Sequence, residues 1–328
     1  ELVVGIDFGT SYSSVALLGD RGLELIPIEG DVMMPSVVSF PAPGEVIVGD
    51  EARARLAGSA QWTVVSPKRL LGRLYKDQSA QRLFSGLAFR TFAGSDRYLR
   101  LEAHGQIYSA QDICAEILKV LRARASEHLG EDVRACVLAA PVGFGSLQRS
   151  ALEQAAKQAG LTVKTVVSEP TAAVLAQGFP SDWSGKVAVY DFGGGTFDFC
   201  VLDVSESSYR ELCSGGDPWL GGDDFDIRLA EQLADAFERS TQVDLRSRAV
   251  EWQKLLFAAE AAKRQLSEAS SAEVRVDDLI LTAEGSKGLS SRVTTQVFEQ
   301  LTAPLVQRSV SVAERVLQQA GLEPKDVD

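Results

Sequence analysis

Nowhere in these 328 residues do apolar side chains run on for the roughly 20 positions that a membrane-spanning helix needs. The N-terminus opens directly on a strand pattern, without the basic-then-apolar order of a secretory signal. No membrane partner is expected, and the chain reads as cytoplasmic. It begins with Glu1 rather than Met, as expected either of a trimmed start or of a piece cut at an artificial boundary. Histidine is scarce: His104 and His128 stand apart from cysteines and acid clusters, which argues against a zinc site. Cys114, Cys136, Cys200 and Cys213 show no CxxC spacing, and three lie in apolar surroundings. They read as reduced core residues. Positive charge is short too: 33 Lys and Arg against 45 Asp and Glu leave a net charge of -12. Nucleic acid is held by clustered basic residues, so it is not an expected partner. Two phosphate-binding signatures are also missing, the GxxxxGK[ST] P-loop and a GxGxxG following a strand.

What is present is ordinary in bulk and unusual in one repeated detail. Hydrophobic content of 45% and charged content of 24% suit a globular protein long enough for two domains. The detail is the pair "LVVGIDFGTSYSSVALL" (Leu2 to Leu18) and "AVYDFGGGTFDFCVLDV" (Ala188 to Val204). Each is an apolar run, then Asp-Phe-Gly, then small and hydroxyl residues, then a second apolar run. That pattern predicts a β-hairpin with a glycine-containing link. The echo lies about half a chain away, which points to a duplicated unit whose two turns face each other across a cleft.

Between the echoes, strands are predicted at Val37 to Phe40 and Val46 to Val48, and an amphipathic helix at Gln111 to Leu129. Ala135 to Ala140 reads as a buried strand, followed by a helix at Leu147 to Ala159 and a strand at Val163 to Val167. This order suggests an α/β sheet. "SEPTAAVLAQG" (Ser168 to Gly178) has proline at a helix start and glycine at its end. "FPSDWSG" (Phe179 to Gly185) is the best boundary between halves. Further helices are predicted after Gly221-Gly222, at Ala249 to Leu266 and at Thr295 to Gln319.

Glycine turns let backbone N–H groups converge on an anion, and Thr10, Ser11 and Thr196 add hydroxyl donors. Acids beside such a cradle would repel a phosphate unless a cation stands between them. Mg²⁺ keeps most of its water and is held by a few carboxylates plus phosphate oxygens. Asp7 and Asp191, one per turn, suit that task. Asp198 and Glu169 are available to orient a water or the metal's shell, as phosphoryl transfer to water requires. Farther on, Glu260, Lys263, Arg264 and Ser267 recur at helical spacing and share one face.

"GIDFGTSYS", "KRLLGR" (Lys68 to Arg73), "EPTAA" (Glu169 to Ala173), "DFGGGTFD" and "LGGDDFD" (Leu220 to Asp226) together resemble the ATPase domain of the seventy-kilodalton heat-shock chaperones, the DnaK-type family. The resemblance implies an α/β, actin-like and ribonuclease H-like fold of two lobes, with ATP or ADP and Mg²⁺ in the cleft. It places lobe I at 1–185, with an insertion at about 37–108. Lobe II lies at 186–328, with an insertion at about 219–299 and its C-terminal part missing. Carried over, Gly9, Thr10, Ser11 and Tyr12 form one phosphate turn and Gly193, Gly194, Gly195 and Thr196 the other. Asp7 and Asp191 surround hydrated Mg²⁺, and Lys68, Glu169, Asp198 and Thr196 serve hydrolysis. Gly221 and Gly222 join the cofactor-binding set, while Glu260, Lys263, Arg264 and Ser267 line the adenosine pocket. Implied partners are unfolded peptides, through a C-terminal domain not contained here, a J-domain co-chaperone and a nucleotide-exchange factor.

The sequence departs from the family around the hinge. Val142, Gly143, Phe144, Gly145 and Ser146 replace a segment that usually carries an aromatic and polar residues, although Pro141 and Arg149 are kept. Thr165 stands for a usual basic residue and Ser168 for a usual Asn. The expected function is slow Mg-ATP hydrolysis that opens and closes the cleft. Rival readings are a nucleotide-gated interaction module, such as an exchange-factor or scaffold relative, and a sugar or acetate kinase of the same fold.

Overall fold

The computed structural model describes residues 2–19, 22–28, 30–77, 89–180, 182–205, 208–282 and 285–328. The opening hairpin forms as the two apolar runs dictate: β1 (Val3–Phe8) and β2 (Tyr12–Gly19) pair antiparallel, and Phe8 faces Ser13. β3 (Gly22–Leu25) continues the meander, and β4 (Met34–Pro35) adds to β2. A small sheet of β5 (Val37–Ser39), β6 (Ile47–Val48) and β7 (Thr63–Val65) follows, with α1 (Asp50–Ala54) and α2 (Leu56–Ser59) between its strands. A second antiparallel trio holds β8 (Arg90–Ala93), β9 (Leu99–Ala103) and β10 (Gln106–Ser109).

Helix α3 (Ala110–Leu129) begins at a capping box in which Ser109 and Asp112 satisfy each other's N–H groups. It ends at Gly130, whose φ of 67° suits glycine. The predicted strand–helix–strand unit is β11 (Ala135–Ala140), α4 (Ser146–Gln158) and β12 (Thr162–Ser168). β11 runs parallel to both β1 and β12, giving the order β12-β11-β1-β2-β3. Alternate residues Val4, Ile6 and Phe8 join Cys136 and Leu138 in one cluster with Ile113, Ile117 and Leu121 of α3 and Leu152 of α4. That period of two along β1 is what burial of one sheet face demands.

The second half repeats the theme. After α5 (Glu169–Gln177), β13 (Gly185–Phe192) and β14 (Phe197–Ser205) pair antiparallel, with Phe192 opposite Phe197, and β15 (Ser208–Asp217) completes the meander. Both hairpins therefore close through four residues, 9–12 and 193–196. Val174 of α5 packs on Cys200 and Leu202, while Val312 and Val316 of α8 (Thr295–Gln319) cover Phe197, Phe199 and Val201 on β14. Helices α6 (Gly222–Thr241) and α7 (Ala249–Leu266) share a separate core with the ribbon β16 (Ser271–Thr282) and β17 (Gly285–Thr294). All four cysteines are free, and Cys114, Cys136 and Cys200 are buried, as their apolar surroundings suggest. Among the described residues no helix is long and apolar enough to cross a membrane.

Candidate functional site

The two hairpin turns arrive at one place. A side chain on Gly9 would start 2.1 Å from the Tyr12 carbonyl oxygen, so this turn closes only with glycine. Ser36 braces it: its Oγ donates to Gly9 O at 2.8 Å and its N–H to Ser11 O at 2.9 Å. In the second turn Gly193 N–H donates to Thr196 O at 3.0 Å. A side chain on Gly194 would begin 1.9 Å from Ser11 Oγ, and one on Gly195 2.6 Å from Thr10 Cγ2. Gly9, Thr10, Ser11 and Tyr12 thus face Gly193 to Thr196 across a narrow gap.

The acids gather beside that gap. Asp7 lies near the end of β1, and Asp191 near the end of β13 faces Asp198 across the hairpin. Glu169 opens α5, where Ser168 is the N-cap: its Oγ accepts from Thr171 N–H at 3.3 Å. Lys68, on a 3₁₀ turn (Pro67–Leu70), is 3% exposed and sits 2.5 Å from Glu169 Oε1. Asp198 is 2% exposed; its Oδ1 accepts from Gly143 N–H at 3.3 Å, and its Oδ2 has no partner among the described residues.

Burial pushes Asp198 up to about 7, the charges of Glu169 and Asp191 adding to it and Gly143 N–H and Lys68 opposing. Asp7 and Asp191 are raised as well, first by desolvation and then by neighbouring carboxylates, with Lys68 opposing both. Four carboxylates around one lysine form a site short of positive charge. No three Asp, Glu, His or Cys groups among the described residues converge as a direct metal cage. The donor set fits a cation that keeps its water, as Mg²⁺ does.

The family model described as Hsp70 protein matches residues 3–328. The chain belongs to the Hsp70 family. Its mixed sheet with duplicated hairpins is that family's actin-like ATPase fold, and the matched region is the nucleotide-binding domain of an Hsp70-type chaperone.

In this Hsp70 domain the α7 face splits its tasks. Glu260 Oε1 pairs with Arg53 of α1 at 2.8 Å and with Arg264 at 3.0 Å. Arg264 donates to the Tyr12 hydroxyl at 2.6 Å with its guanidinium 5.2 Å from the ring centroid, and Arg53 donates to the same hydroxyl. Lys263 turns inward, donating to Asp226 Oδ2 at 2.8 Å and Gly222 O at 2.9 Å. Ser267 follows the last helical residue and is exposed, apart from these contacts. Gly221 and Gly222 stand behind the second turn: Gly222 N–H donates to Gly193 O at 3.0 Å and Asp223 N–H to Gly194 O at 2.7 Å.

Several residues that connect the halves escape motif reading. Ser66 Oγ and Arg69 Nη1 both donate to Asp223 Oδ2, at 3.1 and 3.3 Å. The guanidinium groups of Arg69 and Arg73 both stack on Trp219, 5.5 and 4.7 Å from its ring centroid. Arg69 and Asp223 do fall inside quoted blocks, next to Lys68 and Gly222. Arg53 has no sequence signal, because an isolated arginine on a short helix resembles any surface residue.

Asp226 gives a pH test. It is 7% exposed, and desolvation raises its pKa to about 7 despite the Lys263 charge that opposes the rise. Unfolded, it titrates near the ordinary 3.8. Between these values the fold holds a proton that the unfolded chain has lost, so stability falls as pH rises from about 4 to about 7 and levels above. Asp226→Asn is expected to flatten that part of the curve. Urea midpoints from about pH 5 to 8 measure it, and an unchanged slope refutes it.

Proposed function

We propose that the domain binds Mg-ATP between the two turns and hydrolyses it slowly, opening and closing the cleft of a DnaK-type chaperone. The observation that carries this reading is the meeting of two glycine-and-hydroxyl turns over Lys68 and four carboxylates. Mg²⁺, when bound, neutralises phosphate oxygens; Asp7 and Asp191 would hold it through its waters. The hydroxyls of Thr10, Ser11 and Thr196, with the glycine N–H groups, donate to the phosphates. Glu260, Lys263, Arg264 and Ser267 serve the adenosine end, and Gly221 and Gly222 support the second turn.

Lys68 leaves Glu169 for the γ-phosphoryl oxygens and stabilises charge that grows there during transfer. Asp198 orients the attacking water and takes its proton, while Glu169 orders the surrounding shell; the products are ADP and phosphate. The proposed lobes lie at 1–185 and 186–328, with insertions at about 37–108 and 219–299; a separate core under α6, α7 and the β16–β17 ribbon supports the second insertion, whereas Val174 of α5 packs across the 185 boundary on Cys200 and Leu202. Peptide clients, a J-domain partner and an exchange factor in the cytoplasm complete the proposal.

A second reading, weak coupling in a nucleotide-gated interaction module, is favoured by one contact. Gly143, at the altered hinge segment, is what donates to Asp198, and a side chain there would meet nothing within 4 Å. Thermal melting tests nucleotide binding. A ligand at 100 times its Kd stabilises a fold by about 2.7 kcal/mol. Mg-ATP at that excess should raise Tm by several degrees, and no shift at millimolar Mg-ATP sinks the reading.

A further inference from the structure

Trp219 belongs to the second half by sequence and to the first by contact. It follows β15 and packs against the hydrophobic cluster built on β1, β11 and α3. Among the described residues no other apolar side chain beyond 185 joins that cluster. Its backbone is pinned from its own half. Asp217 Oδ1 accepts from Trp219 N–H at 2.9 Å, and Asp217 Oδ2 accepts from Arg308 Nε of α8 at 2.6 Å. Leu220, the next residue, is fully buried with Phe197 and Val201 of β14.

What the indole holds is the segment that carries Lys68. Arg69 and Arg73 both stack on it, and the Nε of each is buried without a hydrogen-bond partner among the described residues. The two guanidinium groups repel each other: burial lowers the Arg73 pKa first, Asp77 opposes that shift and the Arg69 charge adds to it. The electron-rich face of an indole offsets such crowding where water is scarce. Arg69 is committed further. Its Nη1 donates to Asp223 Oδ2 at 3.3 Å, and a Cβ on Gly195 would lie 2.8 Å from its Cδ, so its stem rests on the second phosphate turn. The Lys68 turn is tight at both ends. Ser66 before it has a φ of 51°, costly for a residue with a Cβ, and is held by its bond to Asp223. Past its end, a Cβ on Gly72 would lie 2.9 Å from backbone atoms of Leu147 and Gln148.

We propose that Trp219 is a positioning residue for Lys68. By holding Arg69 and Arg73 it fixes the turn beside them, so the second half of the chain sets where the Lys68 ammonium stands relative to the second phosphate turn. The consequence for rate rests on the hydrolysis reading, because a misplaced ammonium matters only where charge develops in transfer; the hold on the turn stands without it.

The test replaces the ring in the 328-residue chain. Trp219→Leu, which keeps apolar bulk, should lower single-turnover ATP hydrolysis by about 10-fold or more, the scale of a small misplacement at a reacting centre. ADP affinity should stay within about 3-fold. Trp219→Phe keeps an aromatic face and should hydrolyse within about 3-fold of the parent. Trp219→Leu, Lys68→Met and the double variant are then melted without nucleotide. Coupling through the turn makes the double shift in Tm differ from the sum of the single shifts by about 2 °C or more. Should Trp219→Leu not fold, Arg73→Met, at a half-buried position outside the turn, carries both arms, with a rate about 3-fold lower and affinity kept. Equal rates for the Leu and Phe variants, an affinity loss that matches the rate loss, or additive melting shifts overturns the proposal. A parent chain that hydrolyses nothing counts against the ATPase reading, and the melting cycle then decides alone whether Trp219 holds the turn.

Discussion

Lys68→Met is expected to lower single-turnover ATP hydrolysis by about 10²- to 10³-fold, the scale of losing one electrostatic donor to a transition state. Nucleotide affinity should change little, because the glycine N–H groups and hydroxyls of the two turns remain. The reason lies in where Lys68 sits. It is nearly buried, on a turn fixed by Pro67, and its ammonium is held 2.5 Å from Glu169. An ammonium on a poorly solvated carboxylate cluster interacts more strongly with charge that develops nearby than a solvated one does. Met keeps most of the side chain's bulk and removes the ammonium, its charge and its hydrogen-bond donors together. Rapid-quench hydrolysis and equilibrium ADP binding, measured on the same variant, separate the two effects. Unchanged hydrolysis refutes the role, and an equal loss in binding and rate makes Lys68 a binding residue instead.

Gly221→Ala should damage the site severely through a single methyl group. A Cβ on Gly221 would start 2.5 Å from Gly194 C, Gly194 O and Gly195 N, all backbone atoms of the second turn. The φ of Gly221 is -169°, which any residue adopts, so the effect is purely steric. Retreat is blocked, because the next two N–H groups bond the carbonyls of Gly193 and Gly194. Overpacking of this kind costs about 1–3 kcal/mol, and here the displaced atoms are the proposed phosphate cradle. Expected results are a Tm several degrees lower and ATP affinity reduced at least about 10-fold. Gly222→Ala is the internal control. Its Cβ would meet chiefly Lys263 Nζ at 3.2 Å, the end of a flexible side chain, so both effects should be much smaller. Similar losses in the two variants would contradict the buttressing role of Gly221.

The hairpins were legible because each signal is local: an apolar run, a glycine link and a second apolar run decide the pairing within about 17 residues. α3, α7, α8 and β11 followed from period and caps, and Ser168 with Gly178 bounded α5 as read. Residues inside the quoted blocks, Lys68 with Glu169 and Asp191 with Asp198, do come together. The face of α7 was less transparent. Helical spacing puts Glu260, Lys263, Arg264 and Ser267 on one side, yet Lys263 is drawn to Asp226 and Gly222 while Arg264 reaches Tyr12. Spacing fixes a direction and says nothing of which acid waits there. The contacts between halves, Arg53 with Glu260 and Trp219 with Arg69 and Arg73, join residues far apart in sequence. No local pattern encodes them. The ribbon β16–β17 is hard to see in the sequence for another reason. Ala272 and Val274 alternate with exposed Glu273 and Arg275, a signal weaker than the motifs around it.

The central claim is that the paired turns and their acids form one Mg-ATP hydrolysis site. Its most direct measurement is single-turnover release of phosphate from γ-labelled ATP by the 328-residue chain, with Mg²⁺ and then with EDTA. The carboxylates repel an unmasked triphosphate, so release should occur with Mg²⁺ and fall by at least about 10²-fold without it. Phosphate release of equal rate in EDTA, or none in either condition from protein shown to bind the nucleotide, would contradict the account.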